Sequence, residues 1–515
     1  MTAASGKRVV IAGAGFGGLS AAAYLSAAGA EVTVVERAAH VGGKAALLEK
    51  GDFVFDAGPT LLTMPDVMRD VFRAAGSDLD AVAPLTRLDP VARYLFASGA
   101  ELVVHEDHEK TRASIARFSK RDAAQWDPFF AMCKDIWDVA GEPYLQAPFD
   151  GLFGFTQRAL KQGSKAMRLG VSLGTLDALA RRYFESDEMR AFVGRFATYA
   201  GGSPYASTGA FAMIAYLEIA KGAFYPRGGV HALAAHLHRA LAARGVRFEF
   251  STEVREIMLG EDARAVGVVT DRGPIRADAV VVNADPLVAL DRLLPPRVAL
   301  RGGLAKLRAR THSLSGFAWS FGVTGDAPAD AHHTVIFPRD YRAEFDAIFG
   351  EGAICDAPTV YVSVPSLGDP SRAPEGCHSV FTLVNAPPNA DPAFWQARTE
   401  PLKRLVLSVL ERSWCPGIGQ RIACEGVVTP CDIAATGSAA GAIYGAAPHG
   451  MTATFDRPDA RADCAPGLYF VGGATHPGGG VPMVSLSGRF VAEAIASDCE
   501  VGRPRKKSAL GRLWS

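Results

Sequence analysis

Val9-Val10-Ile11-Ala12-Gly13-Ala14-Gly15-Phe16-Gly17-Gly18 is the stretch that decides the fold. Four apolar residues of strand type run directly into G-x-G-x-x-G at Gly13, Gly15 and Gly18. Residues 19–28 are Ala/Leu-rich with no breaker before Gly29, which reads as a helix. Glu31-Val32-Thr33-Val34-Val35 reads as a second strand and ends on Glu36. Strand, glycines, helix, strand and acid in this order within about thirty residues make a dinucleotide-binding βαβ unit. Gly13 permits the tight turn, Gly15 lets the backbone approach a pyrophosphate, and Gly18 lets helix and strand pack closely. The helix N-terminus offers free N–H groups and a partial positive charge to the phosphates. Glu36 stands where a carboxylate accepts hydrogen bonds from a ribose diol, and it argues against a 2′-phosphate, since two anions would face each other.

Working outward, Val41-Gly42-Gly43-Lys44 adds a second glycine pair just beyond the acid. Strand-like runs of α/β character recur twice more. Between Gly228 and Asp285, residues 231–244 read as a helix, and residues 245–250, 254–257, 265–270 and 279–283 read as strands. Near the end, residues 467–473 read as a strand. Ala474-Thr475-His476-Pro477-Gly478-Gly479-Gly480-Val481-Pro482-Met483 follows, then a helix from about Ser485 to Ser497. Three glycines between two prolines make a rigid turn with exposed backbone N–H groups. The intervening blocks differ: residues 66–224 are mostly helical in period, and residues 306–454 hold strands at 318–323, 335–337, 359–364 and 378–385. The simplest assembly is an α/β protein. Its cofactor domain is discontinuous (1–65, 225–305 and 455–500), interrupted by an α+β substrate domain (66–224 and 306–454) and followed by a basic tail, 501–515.

The 515 residues suffice for two or more domains. Lys+Arg and Asp+Glu number 54 each, a balance that argues against a nucleic-acid binder. The eight cysteines are scattered and form no C-x-x-C, so neither a zinc site nor a disulfide framework is expected and no metal is assigned. Buried reduced thiols in a cytosolic protein are the better reading. Lys7-Arg8 before an apolar stretch imitates a signal peptide, but the glycines and the Glu36 strand fit a buried βαβ unit better. No run approaches the ~18 apolar residues that span a bilayer, so the chain is expected to be soluble or to lie on a membrane surface.

The Gly42-Gly43 pair resembles the Glu-x-x-x-x-x-Gly-Gly element of the large FAD family that includes amine oxidases and carotenoid desaturases, which favours FAD over NAD. Four further segments look like the bacterial carotenoid desaturases, a family of phytoene desaturases and 1-hydroxycarotenoid 3,4-desaturases. They are Gly43-Lys44-Ala45 to Phe55-Asp56-Ala57-Gly58-Pro59-Thr60, Phe224-Tyr225-Pro226-Arg227-Gly228-Gly229, His332-His333-Thr334-Val335-Ile336-Phe337 and the turn at 475–483. The turn, with Gly441-Ala442-Ile443-Tyr444-Gly445 before it, looks closer to the hydroxycarotenoid desaturase and oxygenase branch. Pro-Arg-Gly-Gly looks more like the phytoene branch, and the subfamily stays open. Lys44 stands where relatives often carry Arg, and Gly473 where amine-oxidase relatives place an acid toward the ribityl chain.

The resemblance implies a Rossmann-type FAD-binding domain and FAD contacts along the chain. Gly13, Gly15 and Gly18 would surround the pyrophosphate, and Glu36 would hold the adenosine ribose. Gly42, Gly43 and Lys44 would line the phosphate and ribityl path, and Val254 would meet the adenine region through its backbone. Gly472, Gly473, Val481, Pro482 and Met483 would lie near the flavin. The implied reaction is desaturation of an acyclic C40 carotenoid, with oxygen or a quinone as electron acceptor. A hydride goes to the flavin and the protein positions the substrate. Asp56, Arg195 and His476 are the polar residues to test for catalysis, with a structural role the stronger reading for each. Tyr199, Tyr205, Phe211, Tyr216 and Phe224 would line a polyene tunnel or else pack as ordinary helix core. Residues 151–176 lack Asp and Glu and place Arg158, Lys161, Lys165 and Arg168 on one helical face, as in a segment lying on an anionic bilayer. A cytoplasmic protein peripheral on the cytoplasmic membrane is therefore expected. The rival readings are a carotenoid oxygenase, a flavin-dependent cis–trans isomerase and a non-catalytic flavin- or lipid-binding protein.

Overall fold

In a computed structural model of the chain, Arg8–Ala12 is the central strand of a five-stranded parallel sheet. The structure describes residues 4–148 and 174–501, with positions 151, 154, 156, 157 and 161 between them. The sheet order is Leu468–Phe470, Ala279–Val282, Arg8–Ala12, Glu31–Val35 and Arg247–Glu249, so strands far apart in sequence become neighbours. All but the first and last residues of Glu31–Val35 and Ala279–Val282 are Val or Thr, and burial on both faces selects such β-branched runs. This is the expected doubly wound α/β architecture. The helix Gly229–Ala243 leads into the edge strand, and a three-stranded antiparallel ladder (Val254–Leu259, Ala265–Thr270, Gly273–Arg276) flanks the sheet.

Two helices cover one face at close range. Phe16–Ala27 packs against Val481–Val501, where a Cβ on Gly488 would lie 2.6 Å from the Ala21 nitrogen. Ser20 Oγ donates to the Ser485 carbonyl across the same contact at 2.6 Å. The C-terminal helix starts at Val481, earlier than the sequence suggests, because Pro482 sits in the first turn, where its missing N–H costs nothing.

A second, seven-stranded sheet has the order Ile422–Val428, Ser315–Thr324, Cys377–Ala386, Val360–Ser363, His333–Phe337, Ala92–Phe96, Glu101–Val104. Its last two strands come from the block read as helical. Ala92–Phe96 alternates buried and half-buried residues with a period of two, a strand signal too short to stand out among the helices around it. One sheet face is sealed by Pro392–Ser413 through Phe317, Phe321, Ile336, Val360, Val362 and Val384. The other face looks toward the helices between Lys120 and Lys221. The basic segment 151–176 falls largely outside the described residues, as does the tail from 502. Among the described residues, no helix is long and apolar enough to cross a membrane.

Candidate cofactor and substrate site

The sequence-selected glycines converge at the carboxyl ends of the parallel strands. Gly13 adopts φ 106°, and its N–H donates to the Val35 carbonyl at 2.8 Å. A Cβ on Gly18 would sit 2.1 Å from the Gly13 carbonyl oxygen, so this glycine lets the helix start directly over the turn. Gly15 caps the helix without a side-chain acceptor, which leaves the first-turn N–H groups available to a ligand. The second glycine pair docks on the first. The Gly42 N–H donates to the Ala14 carbonyl at 3.0 Å, and a Cβ on Gly43 would lie 3.4 Å from Gly15 Cα.

Glu36 ties this turn down. Its Oε2 accepts from the Ala14 N–H at 2.7 Å and its Oε1 from the Ala38 N–H at 2.8 Å. Each oxygen keeps a second lone pair, so the carboxylate still has room for a diol. Val254 opens the adjoining antiparallel ladder opposite Thr270, and the backbone of residues 249–252 bonds to that of Glu36 and Ala38.

Asn283, at the end of a buried strand, was not singled out from the sequence and is the post that joins both ends of the chain. Its Nδ2 donates to the Gly13 carbonyl at 3.3 Å. Its Oδ1 lies 2.9 Å from where a Cβ on either Gly17 or Gly472 would be. The amino-terminal turn and the C-terminal glycine loop are therefore side by side. Gly472 has φ 119° and donates to Ser487 Oγ at 2.9 Å. A Cβ on Gly473 would make ordinary contacts with Gly479 at 3.4 Å and Val484 at 3.6 Å. Residues 441–445 close the other side: a Cβ on Gly479 would strike the Tyr444 ring at 2.1 Å. Val481 is buried, and Met483 packs beside Met64, Leu486 and Phe490.

Two cations stand in this cleft. Lys44 Nζ donates to the Ile443 carbonyl at 2.6 Å, and Arg457 Nη1 donates to the Tyr444 and Gly473 carbonyls, each at 3.0 Å. Neither makes an ion pair among the described residues. Lys44 keeps accessible surface, and desolvation lowers its pKa to about 8. Desolvation lowers Arg457 as well. The Asp285 carboxylate attracts both cations without forming an ion pair with either, so positive charge remains for an anionic ligand. Together with the uncapped helix and the side-chain-free surface that Gly15 and Gly43 form, they fit a diphosphate.

The three catalytic candidates have separate partners. Asp56 is buried and saturated: Oδ2 accepts from Tyr225 Oη at 2.8 Å, Oδ1 from the Val230 N–H at 3.0 Å, and Arg372 Nη2 lies at 3.6 Å. It caps the helix Gly229–Ala243 from outside, and burial raises its pKa against the pull of Arg372. His476 Nε2 lies 2.9 Å from the Ala147 carbonyl, and its ring packs edge-on to Tyr144 and stacks on Phe490. Arg195 is buried, with Nη1 donating to Tyr94 Oη at 2.9 Å, Nη2 to Tyr199 Oη at 2.7 Å, and Glu218 Oε2 at 3.5 Å. Of the five aromatics read as a tunnel or core, Phe211, Tyr199, Tyr205 and Tyr216 belong to one hydrophobic cluster and Phe224 to another. Phe211 is core, Tyr199 bonds Arg195 and Glu218, Tyr205 lies under Arg342, Tyr216 meets Phe130 and Lys134, and Phe224 meets Arg87.

The model of the flavin containing amine oxidoreductases matches residues 16–496. Hydroxyneurosporene desaturase of Cereibacter sphaeroides is 34% identical over 95% of this chain and 98% of that protein. The 4,4'-diapolycopene oxygenase of Methylomonas sp is 31% identical over 97% of this chain and 100% of that protein. Among solved structures, an oxidoreductase from Methanosarcina mazei superposes with a TM-score of 0.64 at 17% identity, covering 94% of this chain and 100% of its own, a likeness of fold. With the glycine turns, the acid and the C-terminal loop built around one cleft, the chain belongs to the flavin containing amine oxidoreductases.

Proposed function

We propose that the protein is an FAD-dependent desaturase that introduces C=C bonds into acyclic C40 carotenoids. The observation that carries this reading is the junction at Asn283, where the amino-terminal turn and the C-terminal glycine loop share one wall. Full-length relatives named for carotenoid desaturation support it. In this reading Gly13, Gly15 and Gly18 receive the pyrophosphate, Glu36 the adenosine ribose through its spare lone pairs, and Val254 the adenine. Gly42, Gly43 and Lys44 follow the phosphates and ribityl chain, and Gly472, Gly473 and residues 481–483 border the ring system.

Bound FAD supplies a hydride acceptor. The chain's own part is to align two adjacent C–H bonds of the substrate and to exclude water. An allylic site beside a polyene spreads positive charge along the conjugated chain, so alignment at near-attack distance supplies much of the rate. The substrate is insoluble in water. Residues 151–176 supply a basic, apolar surface for peripheral contact with the cytoplasmic membrane, and oxygen or a quinone takes the electrons onward.

Expression in bacteria that accumulate phytoene, neurosporene or hydroxyneurosporene, with pigment mass analysis, tests the reading. Loss of two hydrogens per step is expected. Gain of oxygen, or isomerisation at constant mass, across all three hosts overturns it.

A further inference from the structure

Side chains directly opposite across neighbouring strands share a sheet face. In the seven-stranded sheet, Tyr94, Val335 and Tyr361 stand in one row, and His333, Ser363 and Phe381 in the next. This is the face turned away from Pro392–Ser413. Tyr361 Oη lies 2.6 Å from His333 Nδ1 and 2.6 Å from Thr60 Oγ1. His333 Nε2 in turn lies 3.2 Å from His332 Nδ1. His332 Nε2 ends the file, buried and with no hydrogen-bond partner among the described residues. Thr60 follows a segment that packs on a cleft residue: Gly58, two positions earlier, would carry a Cβ 2.1 Å from the Lys44 carbonyl oxygen. Tyr361 keeps partial exposure, whereas His332 and His333 are 6% and 1% exposed.

Three proton-conducting groups thus run in line from Thr60 into the protein and end on an imidazole nitrogen that packing alone does not require, since leaving a buried polar group without a partner is unfavourable. We infer that Tyr361, His333 and His332 form a relay that receives the proton released in desaturation, an inference that rests on the desaturase reading. One substrate C–H bond breaks with its electron pair leaving as hydride. The adjacent C–H bond breaks with its electron pair becoming the new π bond. That proton goes to Tyr361 Oη as the Tyr361 proton passes to His333 Nδ1. His333 then either carries the positive charge or hands its Nε2 proton to His332 Nδ1. Thr60 donates to Tyr361 and fixes the direction of its hydroxyl.

The electrostatics suit a transient acceptor. Burial pushes His332 down to about 4, and burial with His332 and Arg195 nearby holds His333 well below the ordinary range, so both imidazoles rest neutral. Arg195 is itself offset by Glu218 at 3.5 Å. A C–H bond beside a cationic polyene is acidic enough to protonate so weak a base, and a weak base gives the proton up again before the next turnover.

The test is anaerobic bleaching of the flavin in the holoenzyme by one equivalent of acyclic carotenoid, in wild type and in Tyr361→Phe, which keeps the ring and removes only the hydroxyl. Bleaching in the variant is expected to slow by about 100-fold or more, the usual worth of a positioned base. Flavin content and the spectrum of bound polyene should stay at wild-type values. Deuterated solvent should slow wild type and leave the variant's rate unchanged. Equal rates in wild type and a flavin-loaded Tyr361→Phe overturn the relay alone, whereas no bleaching of wild type by any acyclic carotenoid overturns the desaturase reading beneath it. Histidine ¹⁵N NMR of the resting protein gives an independent check. A neutral His333 with bare Nδ1 is expected, and a charged or Nδ1-protonated His333 overturns the relay whatever the kinetics.

Discussion

Replacing Asp56 by Asn separates an architectural carboxylate from a chemical one. The side chains of Asp56 and Arg372 are 3% and 4% exposed, and their closest atoms are 3.6 Å apart. The amide in Asp56→Asn is nearly isosteric. Its oxygen keeps the bond to the Val230 N–H, now 3.0 Å, and Tyr225 can turn its hydroxyl to accept from the new NH₂. What is lost is the negative charge facing a buried guanidinium whose Nη1 is already committed to the Gly228 carbonyl at 2.8 Å. Breaking one side of a buried ion pair costs about 3–5 kcal/mol. Burial already raises the pKa of Asp56, so part of the carboxylate's own desolvation cost is recovered, and the lower end, about 3 kcal/mol, is expected. Of a total stability of roughly 5–15 kcal/mol, that leaves a folded protein. Urea denaturation of the flavin-loaded variant should show the loss, while flavin bleaching per folded molecule stays within a few-fold of wild type. Unchanged urea resistance combined with bleaching slowed a hundredfold would refute the reasoning and make the carboxylate part of the chemistry.

Gly15→Val should abolish flavin retention with the fold intact, because the first added carbon meets only the movable Asn283 amide, at 3.1 Å, and the rest fills the groove facing Gly43; normal flavin absorbance in the purified variant counts against the placement. Gly18→Ala should instead lower the melting temperature even without flavin, since its Cβ would lie 2.1 Å from a backbone oxygen; an unchanged apo-protein melt contradicts this. Burial raises Glu344 from 4.5 to about 7, so its contribution to stability is complete below pH 4.5 and is lost as pH rises through 7. That rise corresponds to roughly 3 kcal/mol. Glu344→Gln should flatten that part of the stability–pH curve, and parallel curves for the two proteins would dismiss the assignment. Changing Arg158, Lys161, Lys165 and Arg168 to Gln should weaken co-sedimentation with anionic vesicles; unaltered sedimentation removes this segment from the membrane contact.

The parallel-sheet half was legible because its constraints are local. A turn of φ 106° and a helix start over the Gly13 carbonyl demand glycine at fixed spacings, and strands buried on both faces demand runs such as Val32-Thr33-Val34-Val35. Asn283 escaped because one amide at a strand end carries no pattern and its partner lies 270 residues away. The same distance effect hid the surroundings of Arg195. Its own position drew attention, but Tyr94 precedes it by 101 residues and Glu218 follows it by 23, and only the packing of helices on the second sheet brings them together. The strands Ala92–Phe96 and Glu101–Val104 were lost in a helical neighbourhood for a related reason: five- and four-residue runs gain their identity from the sheet they join.

Asp56, Arg195 and His476 are the polar residues to test first, and each has partners within the fold. The physical distinction is valence. A buried charge persists when its partners saturate it, and saturation removes the capacity to exchange protons with a substrate. Asp56 has Tyr225, Val230 and Arg372, and Arg195 has Tyr94, Tyr199 and Glu218. A group that works on a hydrocarbon needs the opposite arrangement: neutral at rest, partly open to the cleft, and joined to a neighbour that can take a proton at little electrostatic cost. Tyr361 meets those conditions, since it retains exposure and its hydroxyl bridges Thr60 and His333 in the sheet. In an active site built for a polyene, the informative polar residue is therefore the neutral one with a free lone pair beside the cleft, and the charged residues are the ones that partners inside the fold hold fixed.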